Sequence, residues 1–169
     1  MNVNEVYEVI LDRLNKWNTG SGQKIGKRQF VQAFNKMQVQ WFGEVVKYKD
    51  RNQEYQEEIQ RFLIDHCSSA NKDKKTGLFY SIQLPGDYMR WNSVFATATK
   101  NQCTHNIYGI PTEGGGIGRI LLDAMHNPSF EWQEAPFFLS GDRVRFYSND
   151  DFIVSKITLN YYRYPRVID

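Results

Sequence analysis

The sequence is poor in cysteine and in long apolar runs. It has two cysteines, Cys67 and Cys103, which are too few for a disulfide framework and fit a reducing compartment. No apolar stretch approaches the roughly 20 residues that span a bilayer. The first residues, MNVNEVYEVI, lack the basic start and the apolar run of a signal peptide. These absences predict a protein that is made in the cytoplasm and has no membrane partner.

Surplus charge of either sign is also lacking. The net charge is +2 over 169 residues, whereas a protein that grips a phosphate backbone usually carries a strongly basic surface. Aromatic residues are instead frequent, at 15% of the chain. Because aromatic side chains are enriched in cores and at the centres of interfaces, we expect some of them to face a partner.

The N-terminal part of the sequence has helical periodicity. Apolar residues from Val3 to Trp17 recur at helical spacing, which predicts a first helix that ends at about Trp17. The segment NTGSGQKIGKR interrupts the pattern with three glycines, and helical spacing resumes at Gln29. The sequence therefore predicts a helical region within residues 1–67, folded as a hairpin or a small bundle.

An aromatic stripe runs along the second helical segment. Its members are spaced seven residues apart: Phe34, Trp41, Tyr48, Tyr55 and Phe62. One interpretation is that the stripe is the core face of one long helix or of two stacked helices. Because the first helix is too short to cover it, the other interpretation is that neighbouring copies of the protein cover part of it. Trp41, Tyr48 and Tyr55 are therefore candidate subunit-interface residues.

The pattern changes to that of β-strands at residue 78, after the polar segment SSANKDKKTG. The segments LFYSIQL, WNSVFATATK and QCTHNIYGI are rich in β-branched and aromatic residues. Turn signals at residues 140–142 and 149–151 predict a three-stranded antiparallel meander at the C-terminus. The predicted fold is α+β: an N-terminal helical hairpin or bundle packed on an antiparallel sheet or sandwich within residues 78–169, with long loops, in one integrated structural unit.

The segment PTEGGGIGRI has the glycine density of phosphate-binding loops. A Walker loop ends in Gly-Lys-Ser/Thr, but here Arg119 follows Gly118. A dinucleotide fingerprint that starts at Gly114 needs glycine at its sixth position, where Arg119 stands. We therefore expect no nucleotide and no other cofactor. The segment predicts a flexible loop that orders against another subunit, which makes Gly114, Gly115 and Gly116 further interface candidates.

The histidines, cysteines and carboxylates do not predict a metal site or a catalytic centre. Zinc ligands usually lie two to four residues apart so that their side chains converge, but His66 and Cys67 are adjacent. Cys103 and His105 share a strand face without further ligands nearby. Two acid–base pairs lack a nucleophile or a marked sugar cleft around them: Asp123 with His126, and Glu131 with Glu134. We expect a protein that is not an enzyme and holds no metal.

The C-terminal segment YYRYPR interleaves aromatic and basic residues. Such a segment stacks on nucleic acid or packs on neighbouring strands. We take Tyr162 and Tyr164 within it as the last two candidate interface residues.

Three segments and their order carry a resemblance to a known family. They are the helical stretch FNKMQ at residues 34–38, the segment LPGDYMRW, and the closing strand with Tyr162, Tyr164 and Pro165. In these the sequence resembles the virion structural proteins that form rings at the portal vertex of crAss-like, short-tailed bacteriophages, the head-to-tail connector or adaptor proteins.

The resemblance implies a non-enzymatic subunit of the virion that is assembled in the host bacterial cytoplasm. It implies a homo-oligomeric, dodecameric adaptor ring between portal and tail, with the portal protein and other tail or ring proteins as partners. Genomic DNA would be retained and would pass through such a ring without specific binding.

Two other classes of protein stay open. A ligand- or carbohydrate-binding β module would concentrate exposed aromatic side chains on one sheet face and would be a monomer. A small hydrolase or nuclease would bring two or more carboxylates into a cleft. The native mass at micromolar concentration separates the ring from the binding module.

Overall fold

The computed structural model describes residues 3–17, 25–48, 53–74, 76–113 and 127–168. These residues form two compact units. One comprises Met1–Phe62 together with Tyr164–Asp169, and the other comprises Leu63–Arg163. The first unit is helical and the second consists of β-strands, so the chain leaves the helical unit, builds the β unit and returns with its last residues.

Within the described residues, the helical unit contains α1 (Val3–Trp17), α2 (Lys27–Tyr48) and α3 (Gln53–Gln60). The predicted first helix is confirmed. The Tyr7 hydroxyl on α1 donates a hydrogen bond of 2.7 Å to the carbonyl oxygen of Ile25. Its ring centroid lies 5.2 Å from that of Phe30 on α2. These two contacts hold α1 against the start of α2.

The chain's last residues are tied to α2 by a paired hydrogen bond. The Asn35 side-chain amide donates to the Ile168 carbonyl oxygen at 3.0 Å, and the Ile168 N–H donates to Asn35 Oδ1 at 3.1 Å. An amide side chain that donates and accepts in this way reproduces the hydrogen bonding of a backbone peptide. The C-terminal residues are therefore held in the helical unit by more than their covalent connection.

The β unit is built from eight strands within the described residues. In chain order they are β1 (Leu63–Ser69), β2 (Asn71–Lys72), β3 (Phe79–Gln83), β4 (Tyr88–Lys100), β5 (Cys103–Pro111), β6 (Glu134–Ser140), β7 (Arg143–Tyr147) and β8 (Ile153–Arg163). They form one sheet in the order β1-β8-β4-β5-β6-β7-β3-β2. All neighbouring strands are antiparallel except β5 and β6, which are parallel.

The two ends of this sheet are consecutive in the chain. β1 pairs with β8 and β2 pairs with β3, yet only Ala70 separates β1 from β2. The Ala70 N–H donates to the Ser155 carbonyl oxygen of β8 at 3.0 Å, so the strand changes partner at this residue without leaving the sheet. The sheet therefore closes almost completely into a barrel, which removes the unpaired edges that an open sheet would expose.

A single apolar core fills the barrel. On the long strand β4, Ala96 lies opposite Ile107 of β5 on one side and opposite Ile157 of β8 on the other, and all three are fully buried. Sixteen buried side chains make up the core: Tyr80, Ile82, Val94, Ala96, Ala98, Ile107, Phe130, Ala135, Phe137, Val144, Phe146, Phe152, Val154, Ile157, Leu159 and Tyr161. Alternate strand residues point into the barrel, as the period of two requires.

The predicted C-terminal meander is only partly correct. The turn at Gly141, with a φ of 61°, joins β6 and β7 as an antiparallel pair, as predicted. The turn at Asn149 and Asp150 also exists, and both residues have positive φ. After that turn, however, β8 pairs with β1 and β4 instead of β7. Turn residues indicate where a strand ends, but they do not determine with which strand the following strand pairs.

The predicted α+β architecture is wrong. The fold is mostly β, with one nearly closed barrel-like sheet, and the helices are not a bundle packed on a sandwich. Alternation of apolar and polar residues shows that one strand face is buried, but a sandwich and a barrel bury that face equally well. Residues 63–67, predicted as helical, form β1 because pairing with β8 prevails over their weak helical pattern.

Candidate interaction surfaces

An apolar groove lies on the helical unit between α1 and α2. It has a volume of about 590 Å³ and is lined by Ile10, Phe30, Ala33, Phe34, Met37, Gln38 and Trp41. The α2 members recur at spacings of three and four residues, so they form one stripe along the helix. Met37 is 66% exposed and Trp41 is 43% exposed. A contiguous apolar surface of this kind in water is typical of an interaction site.

A different face of α2 carries the buried residues of the helical unit. Phe42, Val45 and Val46 are almost completely buried, and the Phe42 ring meets the ring of Phe62 edge-on with centroids 4.7 Å apart. The heptad pattern ran through Trp41, which was a candidate for the core or for an interface, and it did not include Phe42. The signal that was available is the i, i+3, i+4 spacing of Phe42, Val45 and Val46, which is as regular as the aromatic stripe.

The predicted interface residues of the stripe have different environments. Trp41 lines the groove, and Tyr48 is 40% exposed with the Lys47 ammonium 5.3 Å from its ring centroid. Tyr55 is half-buried on α3. The described members of the register lie on two helices, since α2 is described as far as Tyr48 and Tyr55 belongs to α3.

The other predicted interface residues are also separated. Tyr162 is buried in β8, and its hydroxyl donates to Asn92 Oδ1 at 3.3 Å. Tyr164 is 46% exposed and belongs to the helical unit. The glycines Gly114, Gly115 and Gly116 lie outside the described residues. Of the predicted set, Trp41, Tyr48 and Tyr164 thus present the most aromatic surface to solvent.

Three exposed apolar residues of the barrel form a second candidate surface, which we call the Trp132 patch; Tyr108 lies opposite Glu134 in the strand register, two residues after Trp132. The patch consists of Trp132, which is 73% exposed, with Tyr108 at 54% and Ile110 at 37%. Tyr108 and Ile110 alternate with buried residues on β5, so both point outward. Trp132 stands in the turn that precedes β6. The strand pattern does not single out these three residues, because it does not show which outward positions lie near one another.

The turn that carries Trp132 is anchored on both sides. The Trp132 N–H donates to Ser129 Oγ at 3.1 Å, and the Tyr108 N–H donates to the carbonyl oxygen of Gln133 at 2.7 Å. Phe130, in the same turn, is buried in the barrel core. The turn therefore holds Trp132 outward on a fixed support, which lowers the entropy lost when the side chain contacts a partner.

An ion-pair network fixes the same turn to the barrel. Lys100 Nζ lies 3.0 Å from Glu131 Oε1 and 2.8 Å from Asp151 Oδ1. These bonds raise the pKa of Lys100, and the hydrogen bond from Lys100 lowers the pKa of Glu131. Glu131, considered above as half of an acid–base pair with Glu134, is thus engaged with a lysine.

The remaining candidate ligands do not converge. Cys103 and His105 are exposed on β5, and the His105 ring meets that of Phe130 with centroids 4.8 Å apart. Asp123 and His126 lie outside the described residues. Among the residues that the structure describes, no group of three or more His, Cys, Asp and Glu side chains could hold a metal ion. In this part of the chain no helix is long and apolar enough to cross a membrane.

Comparison with known proteins gives this chain no family. No model of a protein family matches the sequence. The search of curated proteins likewise finds no significant match. The features of this chain that bear on its function are therefore the two apolar surfaces and the resemblance described above.

Proposed function

We propose that the protein is a structural subunit that assembles with further copies of itself into a closed ring. The groove of one copy receives the Trp132 patch of the next. The observation that carries this proposal is the groove itself, an apolar concavity of about 590 Å³ in which Met37 and Trp41 remain largely exposed. A second copy could fill the groove, because the same chain also carries the exposed apolar side chains of the Trp132 patch.

The groove and the Trp132 patch are different parts of the chain, and this difference sets the symmetry of the assembly. A contact between two different surfaces is heterologous, and heterologous contacts produce rings when the rotation between copies closes. Trp132 is 73% exposed, and burying this surface in an interface would contribute roughly 3–5 kcal/mol to the free energy of association, at about 25 cal/mol per Å². A contribution of this size from Trp132 is typical of a hot-spot residue in an interface.

The finer proposal is that this ring is the connector between the portal and the tail of a phage virion. In this role the ring retains the genomic DNA in the particle and also forms the channel through which the DNA passes. The support is the resemblance in the stretch FNKMQ, in LPGDYMRW and in the closing strand. Asn35 in the first of these segments bonds the Ile168 backbone, three residues after Pro165 of the last of them.

Native mass at micromolar concentration, measured by light scattering after size exclusion, tests the ring. We expect the wild-type protein to form a large closed oligomer, and both Met37→Glu and Trp132→Asp to remain folded but monomeric. Each variant places a charge in one half of the contact, where it would be buried without a partner. Ile153→Asp is the matched control, because Ile153 is 67% exposed on the barrel and lies outside both surfaces.

Mixing the two variants provides the sharper test. The Trp132→Asp copy keeps an intact groove, and the Met37→Glu copy keeps an intact patch, so the mixture has one productive contact. A heterologous interface therefore predicts a dimer of one copy of each variant and nothing larger. Failure of the mixture to dimerise, while the wild type forms a ring, would show that the groove and the patch do not meet.

Particle assembly tests the connector proposal separately. We expect phage particles produced with Trp132→Asp as the only source of this subunit to lack the ring in electron micrographs and to lose packaged DNA. Particles that retain their DNA and a complete neck would refute the connector role while leaving the ring in solution intact. A wild-type protein that is monomeric at every concentration would favour the ligand- or carbohydrate-binding alternative.

A further inference from the structure

A cationic pocket lies on the outer surface of the barrel, across β2, β3 and β7. It has a volume of about 540 Å³. Four positive side chains line it, Lys72, Lys74, Arg143 and Arg145, together with the polar residues Asn71 and Ser81. The topology brings these residues together, because β7 pairs with β3 and β3 pairs with β2 although they are distant in sequence.

The strand register places the donors on one outward face. Ser81 of β3 lies opposite Arg145 of β7 and also opposite Asn71 of β2. Arg143 precedes Arg145 by two residues, and the intervening Val144 is fully buried in the core. Two outward residues of one strand lie about 7 Å apart, so both guanidinium groups reach the same region of the pocket.

The two arginines are poorly neutralised. Arg143 Nε is 3.9 Å from Asp142 Oδ1, in a pair whose two side chains are both more than half exposed. Arg145 is half-buried, and its side chain makes no hydrogen bond or ion pair with any of the described residues. Two positive charges on neighbouring outward positions of β7 repel each other. An anion between the two guanidinium groups would remove that repulsion.

Acidic residues neutralise part of the charge of the pocket, because Asp150 pairs with Lys72. Asp150 accepts a hydrogen bond from Lys72 Nζ at 2.6 Å, and Asp73, which also lines the pocket, accepts one from the Thr76 hydroxyl at 3.0 Å. The ring of Phe79 also lines the pocket, and it meets the Phe138 ring edge-on with centroids 5.7 Å apart. An apolar ring in the lining lowers the local dielectric and strengthens the attraction between arginine and an anion.

We infer that this pocket binds a phosphate group. Arginine presents several N–H donors in a planar fork that suits phosphate oxygens, and two such forks can share one tetrahedral anion. The Ser81 hydroxyl and the Asn71 amide supply further donors on the same face. The phosphate belongs either to a nucleic-acid backbone or to a free phosphate ion. The inference does not depend on the ring, because the pocket is built by the barrel of one chain.

Nuclear magnetic resonance of the arginine side chains detects binding directly. We expect inorganic phosphate to shift the Nε–Hε signals of Arg143 and Arg145 saturably in the wild-type protein. Arg145→Gln should weaken phosphate binding by about tenfold or more, since a hydrogen bond to a charged group is lost. Arg90→Gln makes the same change at an exposed arginine of β4 and should alter the affinity less than twofold. Unchanged urea midpoints would show that both variants are folded.

A second arm uses a short duplex DNA with a fluorescent label and measures anisotropy at several salt concentrations. If DNA binds, weakens with salt and loses affinity in Arg145→Gln, the phosphate is that of a nucleic-acid backbone. If inorganic phosphate binds and DNA does not, the ligand is free phosphate. The inference is overturned if neither ligand binds, or if binding is the same in Arg145→Gln and in the wild type.

Discussion

Replacing Gly109 with alanine tests the barrel at its tightest point. Gly109 is buried on β5, and a Cβ atom at this position would lie 2.8 Å from Phe137 Cδ1 and 2.8 Å from the carbonyl oxygen of Val94. Such distances are shorter than van der Waals contact. Neither neighbour can retreat easily, because Phe137 is fully buried in the core and the Val94 oxygen belongs to the backbone of β4.

The expected cost follows from two opposing effects. Overpacking a rigid core destabilises a protein by about 1–3 kcal/mol. Alanine also reduces the conformational freedom of the unfolded chain, which stabilises by about 0.4–1 kcal/mol. We therefore expect Gly109→Ala to lower the free energy of unfolding by about 0.5–2 kcal/mol. With a denaturant dependence of about 2 kcal/mol per M, the urea midpoint should fall by about 0.3–1 M.

Urea denaturation monitored by tryptophan fluorescence measures this change. Gly86→Ala is the matched control, because a Cβ at Gly86 would have no neighbour within 4 Å. The control should leave the midpoint unchanged or raise it slightly. A Gly109→Ala protein as stable as the control would mean that β5 does not approach Val94 and Phe137 this closely, and the packing described for the barrel would be incorrect.

Two further predictions concern the C-terminal tail and alkaline pH. Asn35→Ala removes both hydrogen bonds to Ile168 and should destabilise the helical unit by about 1–3 kcal/mol, with faster hydrogen exchange at the Ile168 amide; unchanged exchange would contradict the pairing. Burial and the hydrogen bond to Asp87 raise the pKa of Tyr161 to about 12, above the usual 10 of tyrosine. The folded state therefore holds the phenol proton more tightly than the unfolded state, so this contribution to stability is complete below pH 10 and is lost as the pH rises toward 12. Tyr161→Phe should make the alkaline decline in unfolding free energy shallower, and an identical decline in both proteins would refute the assignment.

The sequence by itself determined the elements that depend on local physics. The apolar spacing from Val3 to Trp17 is sufficient to define α1, because helix formation on an amphipathic face follows from a period that neighbouring residues supply. The alternating residues of β3, β4 and β5 and the turn at Gly141 were predictable for the same reason. A turn residue with positive φ is a local requirement that few residue types satisfy.

Only the tertiary structure decided which elements pair and which surfaces they form. Closure of the barrel depends on Ala70. The chain pairs with β8 before this residue and with β3 after it, and no local pattern specifies that change of partner. The same holds for the candidate sites. Trp41 and Phe42 are adjacent and both apolar, yet one lines an open groove and the other is buried. The arginines of β7 meet Lys72 only because strand pairing brings distant segments together. A periodic pattern states which side of an element is buried, but the partner that buries it is chosen by contacts between residues far apart in the chain.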